Sequence, residues 1–295
     1  MAKTVYVRKS GNDANDGLTV PTAKLTIAGA NAIAVATDTV DIGTGTFTET
    51  AQLGKISDCT YRGAGMSQTT IVGGLGYVSN WGENHIYKIK YLKISWVNGV
   101  MGPAGWGYCN GGGYMQLVGV FNDFQNVTGG TIWAFYSLPV ASADSFISGC
   151  IFGNFSCFTH YLFVNSSVNR VLKIYNSIVY RNGLVGGGHL PAFYFNYLTS
   201  GSYAIVKNCI FDQCDPQYYY LNGGMFDPTN PLNVHTHNLY HSIVTNENFT
   251  PYLDSSEILP NYPTGADPLF VNATGGDFRL LANSPAIGMG TNNLP

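Results

Sequence analysis

Charged side chains are scarce in this chain of 295 residues. Asp, Glu, Lys and Arg make up 11% of the sequence, against about 25% in an average soluble protein. The formal net charge is −3, and no basic run is present, so neither nucleic acid nor an anionic membrane is expected as a partner. Gly, Asn, Ser, Thr and Tyr fill the missing places, which favours β-structure with many turns and argues against long surface helices.

Long apolar runs are also missing. No stretch approaches the roughly 18 apolar residues that cross a bilayer. The first eight residues do not contain the apolar core of a signal peptide. We therefore expect a protein made in soluble form in the cytoplasm, without a signal peptide and without a membrane partner.

The cysteines show no metal-binding spacing. None of the six forms a CxxC pair or another zinc pattern. A protein made in a reducing compartment keeps its thiols free, so we expect six free cysteines and neither a metal site nor another cofactor.

A short repeat is what the chain does contain. Four segments share a small or polar residue, an Ile, then Phe or Val, then a polar turn, and their central residues are Ile151, Ile178, Ile210 and Ile243. These positions lie roughly 30 residues apart, as in solenoid proteins. A unit this short cannot bury its own apolar face, so it must stack on its neighbours. The repeat predicts an all-β solenoid.

We interpret the chain as a single domain spanning residues 1–295. Residues 1–50 form the N-terminal cap and first coil, with a helix predicted from Leu25 to Ala36. Residues 51–260 form coils with glycine-rich loop insertions, and residues 261–295 close the chain. Asn tolerates the left-handed backbone of sharp turns, so a structural column at one corner is predicted for Asn98, Asn154, Asn182 and Asn246.

Both ends of the chain carry motifs of a known family. The N-terminal segments are Val5-Tyr6-Val7, Ser10-Gly11-Asn12-Asp13 and Asp38-Thr39-Val40-Asp41-Ile42-Gly43; the C-terminal ones are Asp267-Pro268-Leu269-Phe270 and Ser284-Pro285-Ala286-Ile287. Together with the repeats they resemble the pectate-lyase-like superfamily of single-stranded right-handed parallel β-helices. The resemblance implies a right-handed parallel β-helix with an N-terminal capping helix. The superfamily contains polysaccharide lyases, other polysaccharide-degrading enzymes, and bacteriophage tailspike and virion proteins.

Few carboxylates are available for catalysis in the middle coils. Between Glu83 and Asp212 the only acidic residues are Asp123 and Asp144. In lyases of this fold, calcium is held by clustered carboxylates on neighbouring coils. The scarcity argues against a calcium-dependent lyase.

One polar group is the best catalytic candidate. Aligning the repeats by their Ile residues brings Arg181 close to Asp212, and His189 and Asp215 approach from adjoining loops. The group could contact or cleave a glycan, since hydrolases need paired carboxylates. It could also be an ordinary salt bridge between coils on a solvated face, which is the interpretation we favour.

Two polar clusters suggest metal binding. On one extended strand, His235, His237 and His241 would share a side, although His241 also falls in the repeat column of Asn176 and Asn208. The second cluster resembles a small calcium loop without the full EF-hand pattern, and consists of Asp13, Asn15 and Asp16. We favour structural roles for both; a metal ion at the histidines and calcium at the loop are the alternatives.

Aromatic residues cluster in or near the loop insertions. The candidates for carbohydrate contact are Trp106, Tyr194, Tyr218, Tyr219 and Tyr220. Flat rings cover the apolar faces of sugars, but tyrosines are also enriched where subunits meet. Both uses stay open.

Three classes of function are compatible with these observations. The first, which we favour, is a structural virion surface protein of a bacteriophage, either a capsid decoration or a spike. We expect it to be a homotrimer that contacts other virion proteins and binds polysaccharide. The second is a polysaccharide lyase or glycoside hydrolase. The third is a non-catalytic glycan-binding module.

Overall fold

The fold is an all-β parallel solenoid, as the repeat predicts. The structure is a computed structural model that describes residues 1–49, 53–73, 86–97, 114–126, 132–137, 145–153, 159–165, 171–180, 193–195, 203–213, 234–241 and 266–291. Among these residues no helix has the length and apolar character needed to span a membrane.

The strands and the helix follow in chain order. They are β1 (Thr4–Val7), α1 (Ile27–Asn31), β2 (Thr39–Ile42), β3 (Gly45–Glu49), β4 (Thr60–Arg62), β5 (Thr69–Gly73), β6 (Ile86–Val97), β7 (Tyr114–Asn126), β8 (Ile132–Ser137), β9 (Ser145–Ser148), β10 (Ile151–Gly153), β11 (Thr159–Asn165), β12 (Val171–Tyr175), β13 (Ile178–Tyr180), β14 (Phe193–Phe195), β15 (Tyr203–Lys207), β16 (Ile210–Asp212), β17 (Val234–Thr236), β18 (Leu239–His241), β19 (Phe270–Asn272) and β20 (Asp277–Leu280).

Parallel pairing arranges these strands in three stacks. The first stack is β1, β2, β4, the first half of β6 and of β7, β9, β12, β15 and β17. The second is β3, β5, the second half of β6 and of β7, β10, β13, β16 and β18. The third is β8, β11 and β14. Each coil therefore repeats the path of the coil before it.

The core is made of in-register columns of apolar side chains. Alternate strand residues point inward, so equivalent positions on successive coils stack. The inward column of the first stack is Val5, Val40, Tyr61, Ile89, Leu117, Ile147, Ile174 and Val206, all buried, and it ends at His235. The inward column of the second stack is Phe47, Ile71, Ile94, Asn122, Phe152, Val179, Phe211 and Tyr240, and it is apolar except at the buried Asn122. Each repeat buries its apolar face against the next, which explains why the unit is stable only in a stack.

A bend in the left-handed backbone region joins the first stack to the second. The bend residues have φ between 49° and 60° and are Tyr91, Gly119, Gly149, Asn176, Asn208 and His237. Gly and Asn suit this conformation. The corner column that the sequence predicts, at Asn98, Asn154, Asn182 and Asn246, lies outside the described residues.

The fourth repeat is shifted relative to the predicted alignment. Ile178 pairs with Ile210 as expected, but Ile210 pairs with Leu239 and not with Ile243. Asn238 holds this register, because its buried amide accepts from the Cys209 N–H at 2.9 Å and donates to the Val206 carbonyl at 3.0 Å. The sequence alignment that put His241 in the asparagine column was therefore wrong, and His237 occupies that position.

The predicted capping helix is not confirmed. Helix α1 has only five residues, because the Val35 N–H is bound by the Asp38 carboxylate at 2.9 Å and the chain turns there. The outer edge of β1, which has no neighbouring strand on that side in the first stack, is covered by the loop that contains Gly17 and Lys24. Tyr6 bonds through its backbone to Gly17 and to Lys24, each at 2.8 Å, so these groups are not left as an open sheet edge.

Residues 266–291, the C-terminal hairpin, pack on the outer face of the second stack. Strands β19 and β20 pair antiparallel. Phe278 and Phe270 join Phe121 and Tyr180 in a second hydrophobic cluster outside the solenoid core. The hairpin thereby divides the outer face of the second stack into separate surfaces.

Candidate functional site

A groove runs between the second stack and the C-terminal hairpin. Its volume is about 730 Å³, within the roughly 300–1,000 Å³ of small-molecule sites. The stack contributes Thr70, Lys93 and Phe121 to one side, and the hairpin contributes Asp277, Phe278 and Arg279 to the other. The groove therefore combines apolar surface with two cationic groups.

Lys93 is held in place on the stack side of the groove. Its Nζ lies 2.6 Å from Asp123 Oδ2 and 4.9 Å from the ring centroid of Phe121. The Asp123 side chain is only 4% exposed, whereas Lys93 is 28% exposed. The buried carboxylate and the aromatic face together restrain the ammonium group. Lys93 thus presents to the groove an ammonium group that is already paired with one carboxylate.

Arg279 supplies the second cation from the hairpin. Its Nε and Nη2 donate to the two carboxylate oxygens of Asp277 at 2.8 and 2.6 Å. This hydrogen bonding lowers the pKa of Asp277 to about 2. The Arg279 side chain is 79% exposed, so most of its surface faces solvent. Each cation of the groove is thus paired with a carboxylate, Lys93 with Asp123 and Arg279 with Asp277, and the four groups together carry no net charge.

A second polar feature lies further along the second stack. Asp212 and His241 occupy paired positions on adjacent strands, and Asp212 Oδ1 lies 2.7 Å from His241 Nδ1. Asp212 is only 3% exposed. The predicted solvated face is therefore wrong for Asp212. Its predicted partner Arg181 lies outside the described residues.

The Asp212–His241 pair has a recognisable chemical capacity. A carboxylate that binds one imidazole nitrogen fixes the orientation of the ring. The sequence pattern singled out His241 only as a possible metal ligand, and its pairing with Asp212 was missed because the fourth repeat was misaligned by four residues. The register Asp212↔His241 would have followed from aligning Leu239 with Ile210.

The carboxylates described on this column do not form a glycosidase pair. Asp123, Gly153, Tyr180 and Asp212 stand at equivalent positions on successive strands. Three rungs of roughly 4.8 Å separate the two aspartates by about 14 Å. Hydrolases need roughly 5–9.5 Å between their catalytic carboxyl groups. These two residues are too far apart to act together.

The histidines do not share one side of a strand. The bend at His237 separates His235 in the first stack from His241 in the second, so the predicted common orientation was wrong. Within the described ranges, no group of three His, Cys, Asp or Glu side chains is arranged to hold a metal ion.

The aspartates of the N-terminal loop bind separate turns. Asp13 accepts hydrogen bonds from the backbone N–H groups of Leu25 and Thr26 at 2.9 and 3.0 Å. Asp16 accepts from Leu18 N–H at 3.0 Å and from Thr22 Oγ1 at 2.6 Å. Each carboxylate caps its own turn, which is the structural role that we favoured over calcium binding.

Most of the other predicted site residues are not described. His189, Asp215, Trp106 and the tyrosines at 218–220 lie outside the described residues, and Tyr194 is placed only as the central residue of β14. Their roles stay predictions.

Comparison of the chain with protein-family models and with curated proteins finds no match. The parallel solenoid is consistent with a β-helix superfamily.

Proposed function

We propose that this chain is a structural surface protein of a bacteriophage particle, a capsid decoration or spike, that assembles as a homotrimer and binds polysaccharide. The observation that carries the binding part of this proposal is the groove between the second stack and the C-terminal hairpin. Its lining offers cations, hydroxyl groups and apolar surface along one open channel. An acidic polysaccharide matches that combination.

The groove would bind a sugar chain through complementary groups. Lys93 and Arg279 stand on opposite sides and can each bind a carboxylate or sulfate group. The hydroxyls of Ser67 and Thr70 lie on the stack side and can bond to sugar hydroxyls. Because Lys93 is fixed by a buried partner, little side-chain entropy is lost when it binds a ligand.

The virion part of the proposal rests on architecture and on resemblance. A solenoid whose coils are joined by continuous strand ladders is a rigid rod, suited to projecting from a particle. The sparse charge of the chain favours burial of its surfaces between subunits. The termini and repeats resemble a superfamily that contains virion proteins.

The oligomeric state tests the structural part. Size exclusion with light scattering should give a mass three times that of one chain of 31.8 kDa. A monomer at micromolar concentration would contradict the trimer.

Polysaccharide binding tests the groove. Arg279→Glu reverses an exposed charge while leaving the core intact, so it should weaken binding of an acidic polysaccharide by roughly tenfold or more. Lys207→Glu, on the outer face of the first stack, changes the net charge by the same amount and is the matched control. Equal binding by the wild type and Arg279→Glu would refute the groove as the binding site.

A polysaccharide lyase or glycoside hydrolase is the second candidate, and the Asp212–His241 pair favours it. An imidazole oriented by a buried carboxylate can act as a general base, and a lyase needs a base to remove a sugar proton. Incubation with acidic polysaccharides would then raise the absorbance of unsaturated sugar ends. Loss of that activity in Asp212→Asn would replace the non-catalytic proposal with an enzymatic one.

A further inference from the structure

The side chain of Asn208 binds the main chain of the C-terminal segment. Its Oδ1 accepts a hydrogen bond from the Thr291 N–H, and its Nδ2 donates one to the Thr291 carbonyl, both at 2.9 Å. Both bonds go to main-chain atoms, so the contact does not depend on the threonine side chain. An asparagine amide at this bend can therefore hold a polypeptide through the donor and acceptor that every residue except proline carries.

Asn176 occupies the equivalent bend on the preceding coil. Its φ is 49°, against 57° at Asn208, and Ile178 and Ile210, two residues further along each coil, pair in register. Its Oδ1 accepts from Asn208 Nδ2 at 3.0 Å, which leaves a second lone pair. Its own Nδ2 donates no hydrogen bond within the described ranges, and the residue is exposed. Asn176 therefore offers a partner the same donor and acceptor that Asn208 uses.

A cavity of about 540 Å³ lies beside these two asparagines, within the roughly 300–1,000 Å³ of ligand sites. The second stack forms one wall, and Phe278, Leu280 and residues 286–291 of the hairpin form the other. Beyond Asn176 the next bend is Gly149, where an added Cβ would have no described atom closer than 3.9 Å. A ligand held by Asn176 thus has room on the side away from Asn208.

The chemistry of the cavity suits an uncharged peptide. Its lining among the described residues contains no Asp, Glu, Lys, Arg or His, so an ionic group would lose its hydration there without gaining an ionic partner. The main-chain groups of residues 288–290, which line the cavity opposite the stack, make no hydrogen bonds within the described part of the chain. An extended peptide can pair with such an open main-chain edge.

We propose that this cavity binds an extended, uncharged segment of a partner protein. In an extended chain, the N–H and C=O of one residue point to one edge and those of its neighbours to the other. Asn176 binds one edge of the segment, as Asn208 binds Thr291, and residues 288–290 bind the opposite edge. The C-terminal segment of this chain is already held by its own Asn208, so the segment at Asn176 belongs to a different protein. The proposal does not depend on polysaccharide binding.

Calorimetric titration of the full chain with a defined peptide tests the proposal. The probe is the hexapeptide Ala-Ile-Gly-Met-Gly-Thr, acetylated and amidated, which has the sequence of residues 286–291 and ends in the residue whose main chain Asn208 binds. An analogue methylated at the threonine nitrogen lacks the N–H that the asparagine Oδ1 accepts, so it should bind roughly tenfold or more weakly. Failure of the unmodified peptide to bind, or equal binding of the analogue, would overturn the proposal.

Asn176→Gly locates the binding. Glycine makes the equivalent bends at Gly119 and Gly149, so this variant should keep the fold, checked by circular dichroism, and bind the peptide roughly tenfold or more weakly. Gln213→Gly also removes an amide from a left-handed bend, with φ of 51°, but Gln213 does not line the cavity. This matched control should bind as the wild type does. Equal binding in the two variants would refute a site at Asn176.

The oligomeric state identifies the source of the bound segment. If the segment belongs to a different protein, light scattering should give the same mass for Asn176→Gly as for the wild type. A lower mass for Asn176→Gly would show that a second copy of this chain fills the cavity, which would overturn the assignment to a different protein.

Discussion

Replacing Phe278 by Ala should release the C-terminal hairpin without unfolding the solenoid. Phe278 is 6% exposed and makes edge-on contacts with three rings, at centroid distances of 5.6 Å to Phe121, 5.4 Å to Tyr180 and 5.3 Å to Phe270. These rings join the hairpin to the outer face of the second stack. The inner core contains none of them.

The size of the effect follows from the burial of the ring. Truncating a buried Phe to Ala costs about 3–5 kcal/mol. Because solenoid coils are stabilised by their nearest neighbours, that loss should appear as easier local opening of the hairpin. Hydrogen exchange of its protected amides should accelerate by roughly two to four orders of magnitude, up to the unprotected rate.

Amide exchange measured by mass spectrometry or NMR provides the assay. The Leu281 N–H, which bonds to the Leu269 carbonyl at 2.9 Å, reports on the hairpin, and the Ile178 N–H, bonded to Cys150 at 2.9 Å, reports on the coils. Leu281→Ala, at a side chain 44% exposed, is the control and should change little. Equal acceleration at both amides would refute the independence of the hairpin, and no acceleration would refute its attachment through Phe278.

Three further predictions concern other parts of the fold. The Asn208 side chain holds the C-terminal segment, because it accepts a hydrogen bond from Thr291 N–H and donates one to the Thr291 carbonyl, both at 2.9 Å. Asn208→Ala should weaken this attachment by about 1–3 kcal/mol, measured by amide exchange at Thr291. It should also lower Tm more than Asn208→Gly, because glycine suits the left-handed bend. Burial raises the pKa of Glu49, which accepts from Ile27 N–H. The stability that Glu49 contributes is therefore present below its unfolded pKa and is lost as pH rises through the folded one. Glu49→Gln should gain Tm relative to the wild type as pH rises above about 4; an opposite trend would contradict this reasoning. Burial also raises the pKa of Cys150 to about 12, so alkylation at about pH 8 should label Cys150 only after unfolding in urea; rapid labelling of the native protein, read by mass spectrometry, would contradict its burial.

The repeat could be predicted because each coil contributes one equivalent apolar residue. The pairing of Ile151 with Ile178 and of Ile178 with Ile210 follows the sequence alignment. The same rule failed at Ile243, since a buried asparagine can replace a small residue when its amide satisfies two backbone groups. Pattern matching by apolar residues does not detect that substitution.

The site was harder to predict because it depends on contacts between distant segments. Asp212 was identified as a candidate from its place in the repeat, but its partner His241 depended on the correct register. The groove requires Arg279 to pack opposite Lys93, which no local pattern in either segment indicates. The left-handed backbone conformation of Tyr91 could not be predicted either, since a tyrosine after a strand that contains two lysines has the sequence pattern of an ordinary strand residue.

The bend at Tyr91 explains how one short segment places lysines on the outer faces of both the first and the second stack. Lys90 precedes the bend on the outer face of the first stack, and Lys93 follows it on the outer face of the second. On a continuous strand their odd spacing would place them on opposite sides. The left-handed residue between them reorients the chain, so both lysines face outward while Ile89 and Leu92 stay buried. The left-handed bend at Tyr91 therefore places one lysine on the outer face of each of the two stacks.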